Sequence, residues 1–268
     1  MMKKVFVAGA TGWTGSEISK AIFNNDEMIL TGGLSLSQDG KNLSEILSLK
    51  SDNNIPLFKS IEDAIENVEF DILVDFTKPA IAKHNIHTAL QKGKKVIIGT
   101  SGLTDKDYEE IERIANENNT SVLAAGNFAL TVVLLQKFAE MAAKYIPHYE
   151  IIDYADAKKI DAPSGTVAEL AYRLSKVQKP ELAVAIEDTI GNKETRGATI
   201  NGIQVHSVRL PGHTISVETI FGLNGERLIL RHDSGESAEP YVKGVLLAIK
   251  NIDTFKGLRR GLDSIMEF

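Results

Sequence analysis

A short apolar run, Val5–Ala8, breaks directly into Gly9-Ala10-Thr11-Gly12-Trp13-Thr14-Gly15, and helical spacing then runs from Ser16 to Phe23. A strand that turns through spaced glycines into a helix leaves backbone N–H groups and the positive end of a helix where an anion can sit. Here Gly9 permits the tight turn, Gly12 lets a pyrophosphate approach the backbone, and Gly15 lets helix and strand pack closely. The spacing is GxxGxxG rather than GxGxxG, so the loop alone would also suit a plain tight turn. Its place after the first strand, at the head of repeated strand–helix units, favours a dinucleotide.

Those units continue through the first half. Met28–Leu34, Ile72–Asp75, Lys95–Ile98 and Ser121–Ala125 are strand-like. Ser60-Ile61-Glu62-Asp63 is a capping-box pattern opening a short helix. Pro79 starts a helix to about Lys92, and Thr104–Asn116 is a charged amphipathic helix. Leu36–Leu57 is polar with few signals. Strands alternating with helices predict a parallel sheet. After Asn127 the pattern changes. Leu130–Ala143 reads as a helix, Tyr149–Tyr154 as a strand, Ala155–Ala162 as a loop, and Pro163 to about Val177 as a helix. Lys179–Arg196 is weakly patterned. Three β-rich runs follow, Ile200–Leu210, His213–Phe221 and Arg227–His232, divided by the turns Pro211-Gly212 and Asn224-Gly225. Tyr241–Ile252 closes as a helix. The expected class is α/β: a Rossmann-type dinucleotide-binding domain, 1–127 and 241–268, plus a smaller α+β domain, 128–240, with a mostly antiparallel mixed sheet.

Composition removes other classes. The 268 residues carry 30 Lys+Arg against 36 Asp+Glu, so no chain-wide basic footprint for nucleic acid exists. There is no cysteine, which excludes disulfides, thiolate metal sites and cysteine nucleophiles. No run of about 18 apolar residues is present, so no membrane span is expected. Lys3 and Lys4 before Val5–Ala8 could pass for a signal peptide, but glycines interrupt the apolar stretch at once, and a buried strand is expected. His84 and His87 have metal-compatible spacing without a nearby third ligand, so a solvated helix face is expected there and no metal. Asp105, Asp107, Glu109, Glu110 and Glu112 read as the solvent face of a helix.

The ribose-reading position should lie near the end of the second strand, which reads Gly33-Leu34-Ser35-Leu36-Ser37. Neither an acid nor an arginine stands there, and Ser35 can hydrogen-bond either cofactor, so both NADH and NADPH stay in view. The densest chemistry is in Lys158-Lys159-Ile160-Asp161-Ala162-Pro163-Ser164-Gly165-Thr166. Pro163 suits the first helical position, which would make Asp161 or Ala162 the cap. Ser164, Gly165 and Thr166 then offer N–H groups and two hydroxyls to an anion. With Lys159 beside that helix end, the segment makes a carboxylate site with a candidate proton donor. The same residues would also make a well-capped helix beside a solvated lysine pair.

The run Lys159-x-Asp161-Ala162-Pro163-Ser164-Gly165-Thr166 resembles the signature of the dihydrodipicolinate reductase family. Asp75-Phe76-Thr77-Lys78-Pro79, Gly99-Thr100-Ser101-Gly102, Asn127-Phe128, Val205–Arg209 and Arg231–Ser234 are similar to its other motifs in order and spacing, over nearly the whole chain. The resemblance implies a cytoplasmic homotetramer, assembled through sheets of the second domain, with no nucleic-acid or membrane partner. It implies hydride transfer from NADH or NADPH to a cyclic unsaturated imine carboxylate, in the lysine/diaminopimelate pathway. By motif, Gly9, Ala10, Thr11, Gly12, Trp13, Thr14, Gly99, Thr100, Ser101, Ala125, Gly126, Asn127 and Phe128 would contact cofactor. Gly165 and Thr166 would hold a substrate carboxylate, beside Ser164, and Lys159 falls on the catalytic lysine.

The sequence also departs from the family. Two adjacent histidines usual before that lysine are Ala155 and Asp156, and a basic residue common in the glycine loop is Trp13. Either Lys159 acts as sole acid, or Asp156 marks a different imine or amino-acid-derived substrate with a cationic group, since a carboxylate there would repel a second carboxylate. Tyr154 could replace the missing acid. Tyr154/Lys158 and Tyr172/Lys176 have the Tyr-x-x-x-Lys spacing of short-chain dehydrogenases, without the usual upstream serine. A non-catalytic NAD(P)H-binding protein is the remaining alternative; the intact Asp161–Thr166 loop argues against it.

Overall fold

Strand β1 (Lys3–Ala8) has no exposed surface from Val5 to Ala8. A strand buried on both faces belongs in the middle of a helix-covered parallel sheet. The computed structural model describes residues 2–51 and 54–268. It divides the chain into one unit of Met1–Leu130 with Ala238–Phe268 and a second of Thr131–Ser237.

In the first unit β1 is followed by α1 (Trp13–Phe23), β2 (Met28–Leu34), α2 (Leu43–Ile46), β3 (Leu57–Phe58) and α3 (Ile61–Asn67). Then come β4 (Ile72–Asp75), α4 (Pro79–Gln91), β5 (Lys95–Ile98), α5 (Asp105–Glu117) and β6 (Ser121–Ala124). Helix α1 begins at Trp13, ahead of the predicted Ser16, because its first turn, Trp13-Thr14-Gly15-Ser16, carries no apolar periodicity. Both α2 and the two-residue β3 are too short to leave a periodic signal. Ser60 caps α3 by accepting from the Asp63 N–H. Thr104 and Asp107 close a reciprocal capping box on α5. The Thr104 backbone N–H, the Thr104 hydroxyl and Lys83 hold the Asp107 carboxyl well below the usual range.

The second unit holds α6 (Leu130–Ala143), β7 (His148–Ala155), α7 (Gly165–Val177), β8 (Ala198–Ile200), β9 (Ile203–Arg209), β10 (Ile215–Leu223) and β11 (Glu226–Ser234). Its sheet runs β11-β10-β7-β9-β8. Only β7 and β9 pair in parallel; the other neighbours are antiparallel. Leu135, Leu170 and Leu174 of the two helices pack with Tyr149, Ile151, Val205, Val217 and Phe221 of one sheet face. The run Ile200–Leu210, expected as one strand, is two. Asn201 and Gly202 take φ of 53° and 87°, and Ile200 pairs with Ile203 across a two-residue hairpin.

The chain then returns to the first unit as α8 (Glu239–Asn251) and β12 (Gly257–Arg260). A Cβ at Gly244 of α8 would stand 1.9 Å from the Phe128 carbonyl oxygen, so the helix rests directly on the backbone leaving β6. β12 adds to the sheet edge, giving β12-β6-β5-β4-β1-β2-β3, all parallel. The sequence reading missed this strand. Gly-Leu-Arg-Arg has no apolar run, because an edge strand buries little of its side chains. Among the described residues no helix is long and apolar enough to cross a membrane.

Candidate active site

The glycine loop hangs from β2: the Gly9 and Ala10 N–H groups donate to the Leu34 carbonyl at 3.1 and 3.2 Å. Gly9 has φ of 82°, and a Cβ there would lie 2.6 Å from the Phe76 carbonyl oxygen. A Cβ at Gly15 would lie 2.0 Å from the Gly9 carbonyl oxygen. A Cβ at the exposed Gly12 would meet only the Gly9 carbonyl oxygen, at 3.2 Å, so the outer side of the loop is open. Gly12 caps α1 without a side-chain acceptor. Two tight inner glycines, one open outer glycine and a helix end with no side-chain cap fit a dinucleotide pyrophosphate. Thr11 and Ser35 join hydroxyls at 2.7 Å, tying the loop to the end of β2. Trp13 is 62% exposed, its ring edge-on to Tyr241 at 6.2 Å.

Asp75 organises the neighbouring loops, and the sequence reading gave it no role of its own. It is fully buried; one oxygen accepts from the Thr77 N–H (3.0 Å), the Thr77 hydroxyl (2.7 Å) and the Thr100 hydroxyl (2.8 Å). The other accepts from Asn85 at 2.9 Å. An acid closing the apolar strand Ile72–Val74 just before Thr77 was the available signal. A Cβ at Gly99 would stand 2.2 Å from the Phe76 ring, which also meets Phe128 at 5.7 Å. The segments around Gly9, Gly99–Ser101 and Ala125–Phe128 therefore converge on Phe76. Phe128 itself is 1% exposed and Ala125 8%, whereas Gly126 and Ser101 are exposed. Asn127 accepts the Ala129 N–H at 2.8 Å, which fixes that turn.

In the second unit, the loop after β7 departs from expectation at its helix end. The Ala162–Pro163 bond is cis, Pro163 lies outside α7, and Ser164 is the cap, accepting the Val167 N–H. Neither Asp161 nor Ala162 caps. Ser164 accepts the Val167 N–H at 3.4 Å and so takes the cap, although proline prefers the first helical position. The Ser164 N–H is itself spent on Asp153 at 2.8 Å, which leaves Gly165 and Thr166 at the helix mouth. Gly165 is exposed and nothing lies within 4 Å of where its Cβ would be. Lys159 forms an ion pair with Asp161 at 2.7 Å, and that contact holds the Asp161 carboxyl below its ordinary value. Asp156 accepts the Lys158 N–H on its carboxylate (2.9 Å) and the Lys159 N–H on its carbonyl (3.0 Å), so it builds the turn that carries Lys159.

Burial alternates along β7: Tyr149, Ile151, Asp153 and Ala155 are buried, whereas Glu150, Ile152 and Tyr154 are half-buried. Successive strand residues face opposite sides. Tyr154 thus points away from Asp153 and from the helix-covered side. Arg231 lies 4.9 Å over its ring, and the His213 ring lies tilted against it at 5.3 Å. Tyr172 is 51% exposed on α7 with Lys176 at 4.9 Å over its ring. His84 bonds Glu62 at 2.7 Å, and burial lowers the His87 pKa. Among the described residues no group of three metal-ligating side chains forms.

A Rossmann-type sheet with an open glycine loop, joined in one chain to a lysine beside a helix mouth, defines an NAD(P)H-dependent oxidoreductase. Comparison with known proteins narrows the class. The family model for the dihydrodipicolinate reductase N-terminus matches residues 3–128, and that for the C-terminus matches 131–266. The chain belongs to the dihydrodipicolinate reductase family. It is 36% identical to a 4-hydroxy-tetrahydrodipicolinate reductase of Desulfitobacterium hafniense over 269 residues, covering 99% of this chain and 100% of the relative. The one from Halalkalibacterium halodurans is likewise 36% identical, over 266 residues and the same shares. The dipicolinate-bound dihydrodipicolinate reductase of Paenisporosarcina sp. TG-14 superposes with a TM-score of 0.89 at 33% identity, covering 99% of this chain and 100% of that one. An amine dehydrogenase of Mycobacterium smegmatis, at 11% identity and a TM-score of 0.65, shares the fold alone. Membership leaves the short-chain dehydrogenase reading without support.

Proposed function

We propose that this enzyme reduces 4-hydroxy-tetrahydrodipicolinate, with Lys159 as the proton donor and the N-terminus of α7 as the seat of a ring carboxylate. When bound, NADH or NADPH supplies the hydride, which adds to a ring carbon conjugated with the imine. The segments Gly9–Thr14, Ser35, Gly99–Ser101 and Ala125–Phe128 would hold that cofactor. The Gly165 and Thr166 N–H groups and the Thr166 hydroxyl would accept one carboxylate, and Ser164 would fix their direction as cap. The Lys159 ammonium would deliver the proton. The observation that carries this reading is the Lys159–Thr166 loop, in which a partly exposed lysine, paired with Asp161, precedes a serine-capped helix whose first residue is open. Ala155 is buried and has no proton to give, and Asp156 spends one oxygen on its own turn, so Lys159 is left as the acid. That turn also gives Asp156 a local task without a cationic substrate group.

The reading includes a homotetramer. The sheet face opposite α6 and α7 carries Ile152, Ile220 and Ile229, the last 52% exposed, and burial against other copies would remove this apolar surface from water. A cytoplasmic location belongs to it as well, since the reaction draws on reduced dinucleotide. The test is NADH or NADPH oxidation by the purified enzyme with 4-hydroxy-tetrahydrodipicolinate. Saturable oxidation is expected. Oxidation with other cyclic imines but not with this one would overturn the substrate assignment.

A further inference from the structure

Asp153 is fully buried, and the expected catalytic residues leave it without a task. Its Oδ2 takes three donors: an Arg209 terminal nitrogen at 2.7 Å, the Ser164 N–H at 2.8 Å and the Ser207 hydroxyl at 3.4 Å. The same Arg209 nitrogen donates to the Asp161 carbonyl at 2.8 Å. The other terminal nitrogen donates to the Val208 and Asp153 carbonyls at 3.0 and 3.4 Å. One ion pair, its carboxylate fully buried and its arginine side chain 16% exposed, therefore grips the main chain at both ends of the segment from Asp161 to Ser164. Just outside one end stands Lys159, paired with the Asp161 carboxylate; the other end is the cap of α7.

The pair is a poor stability device. Asp153 Oδ1 and Arg209 Nε are buried without partners among the described residues, and buried ion pairs return little net stability when incompletely bonded. Its geometry suits positioning better. A guanidinium fork can hold a carboxylate and a carbonyl at once in fixed directions, which an ammonium cannot.

We infer that Asp153 and Arg209 are positioning residues: they set the distance between the Lys159 ammonium and the carboxylate seat at Gly165 and Thr166, without touching substrate. The inference rests on the proposed reading of that site. It accounts for the carboxylate at 153, at the end of a strand whose other buried residues include Tyr149, Ile151 and Ala155.

Arg209→Lys and Asp153→Asn test it, each measured for fold by circular dichroism, for NADH affinity by calorimetry, for dipicolinate affinity and for steady-state kinetics. Arg209→Lys keeps the charge but loses the fork. The expected result is a folded enzyme with wild-type NADH affinity, whose dipicolinate Kd and substrate KM both rise about 10- to 100-fold. Lys159→Met should instead lower kcat with a smaller change in KM. A folded Arg209→Lys enzyme with wild-type KM and dipicolinate Kd would overturn the inference. Loss of native fold in both variants would overturn it too, since the pair would then be a stability element. If the wild-type protein neither binds dipicolinate nor turns over 4-hydroxy-tetrahydrodipicolinate, the site reading fails. Wild-type turnover with unmoved variants means that only the positioning role fails.

Discussion

Lys159 and Tyr154 separate cleanly by mutation because the chain points them differently. Lys159 stands on a turn built by Asp156 and pairs with Asp161, whereas Tyr154 lies under Arg231 on the face of β7 opposite Asp153. Lys159→Met should lower kcat by about 10²- to 10⁴-fold, the range for losing a positioned acid, while Tyr154→Phe stays near wild type. Loss of turnover in the tyrosine variant would move the acid to Tyr154. The glycine loop gives a second test. Gly15→Ala puts a methyl group 2.0 Å from the Gly9 carbonyl oxygen, a contact that backbone can relieve only by opening the loop. Dinucleotide binding should be lost in calorimetry, and retained affinity would refute the close-packing role. Trp13 is the sole tryptophan and sits exposed on this loop. Titration with NADH should change its emission saturably, whereas a flat titration would place the dinucleotide away from Trp13.

Among the elements, α5 shows how a helix end carries its own pH dependence. The folded Asp107 carboxyl is depressed by Thr104 and Lys83 below its ordinary 3.8, so its contribution is present at neutral pH. It is lost as the pH falls below that value towards the folded one. Thr104→Ala should cost about 1 kcal/mol in urea denaturation at pH 7, and less in acid. An equal cost at both pH values would show that Asp107 is not involved. Caps, glycine turns and the βαβ rhythm were readable because each is a local rule written in consecutive residues. The Ser60 and Thr104 starts and the Asp161–Thr166 segment are of this kind. Other features depended on competition or context. Pro163 and Ser164 each offer a helix start, and only the hydrogen bond to Val167 decides between them. Asn201-Gly202 is a hairpin signal hidden inside a β-rich run. The roles of Asp75 and Asp153 come from partners distant in sequence, Thr100 and Arg209, and no periodicity reveals such pairs.

For the molecule as a whole, the family and the two-sheet layout follow from motifs spread along the chain, whereas the proposed tetramer would depend on a surface. Ile220 and Ile229 pair across β10 and β11 on the face without helices. If the proposed tetramer forms through this face, Ile229→Glu should convert it into smaller particles in light scattering, because assembly would then bury a charge against apolar neighbours. An unchanged mass would exclude that face as the interface. Strand β12 has a different consequence, for the order of events during synthesis. It completes the edge of the first sheet beside β6, and α8 rests on the backbone after β6, yet both are translated after the second unit. A nascent chain therefore exposes the β6 edge and the bed of α8 while the inserted unit is made. The second unit can reach its native sheet on the ribosome, whereas the first must wait, and in that interval it is the half that a chaperone would be expected to hold.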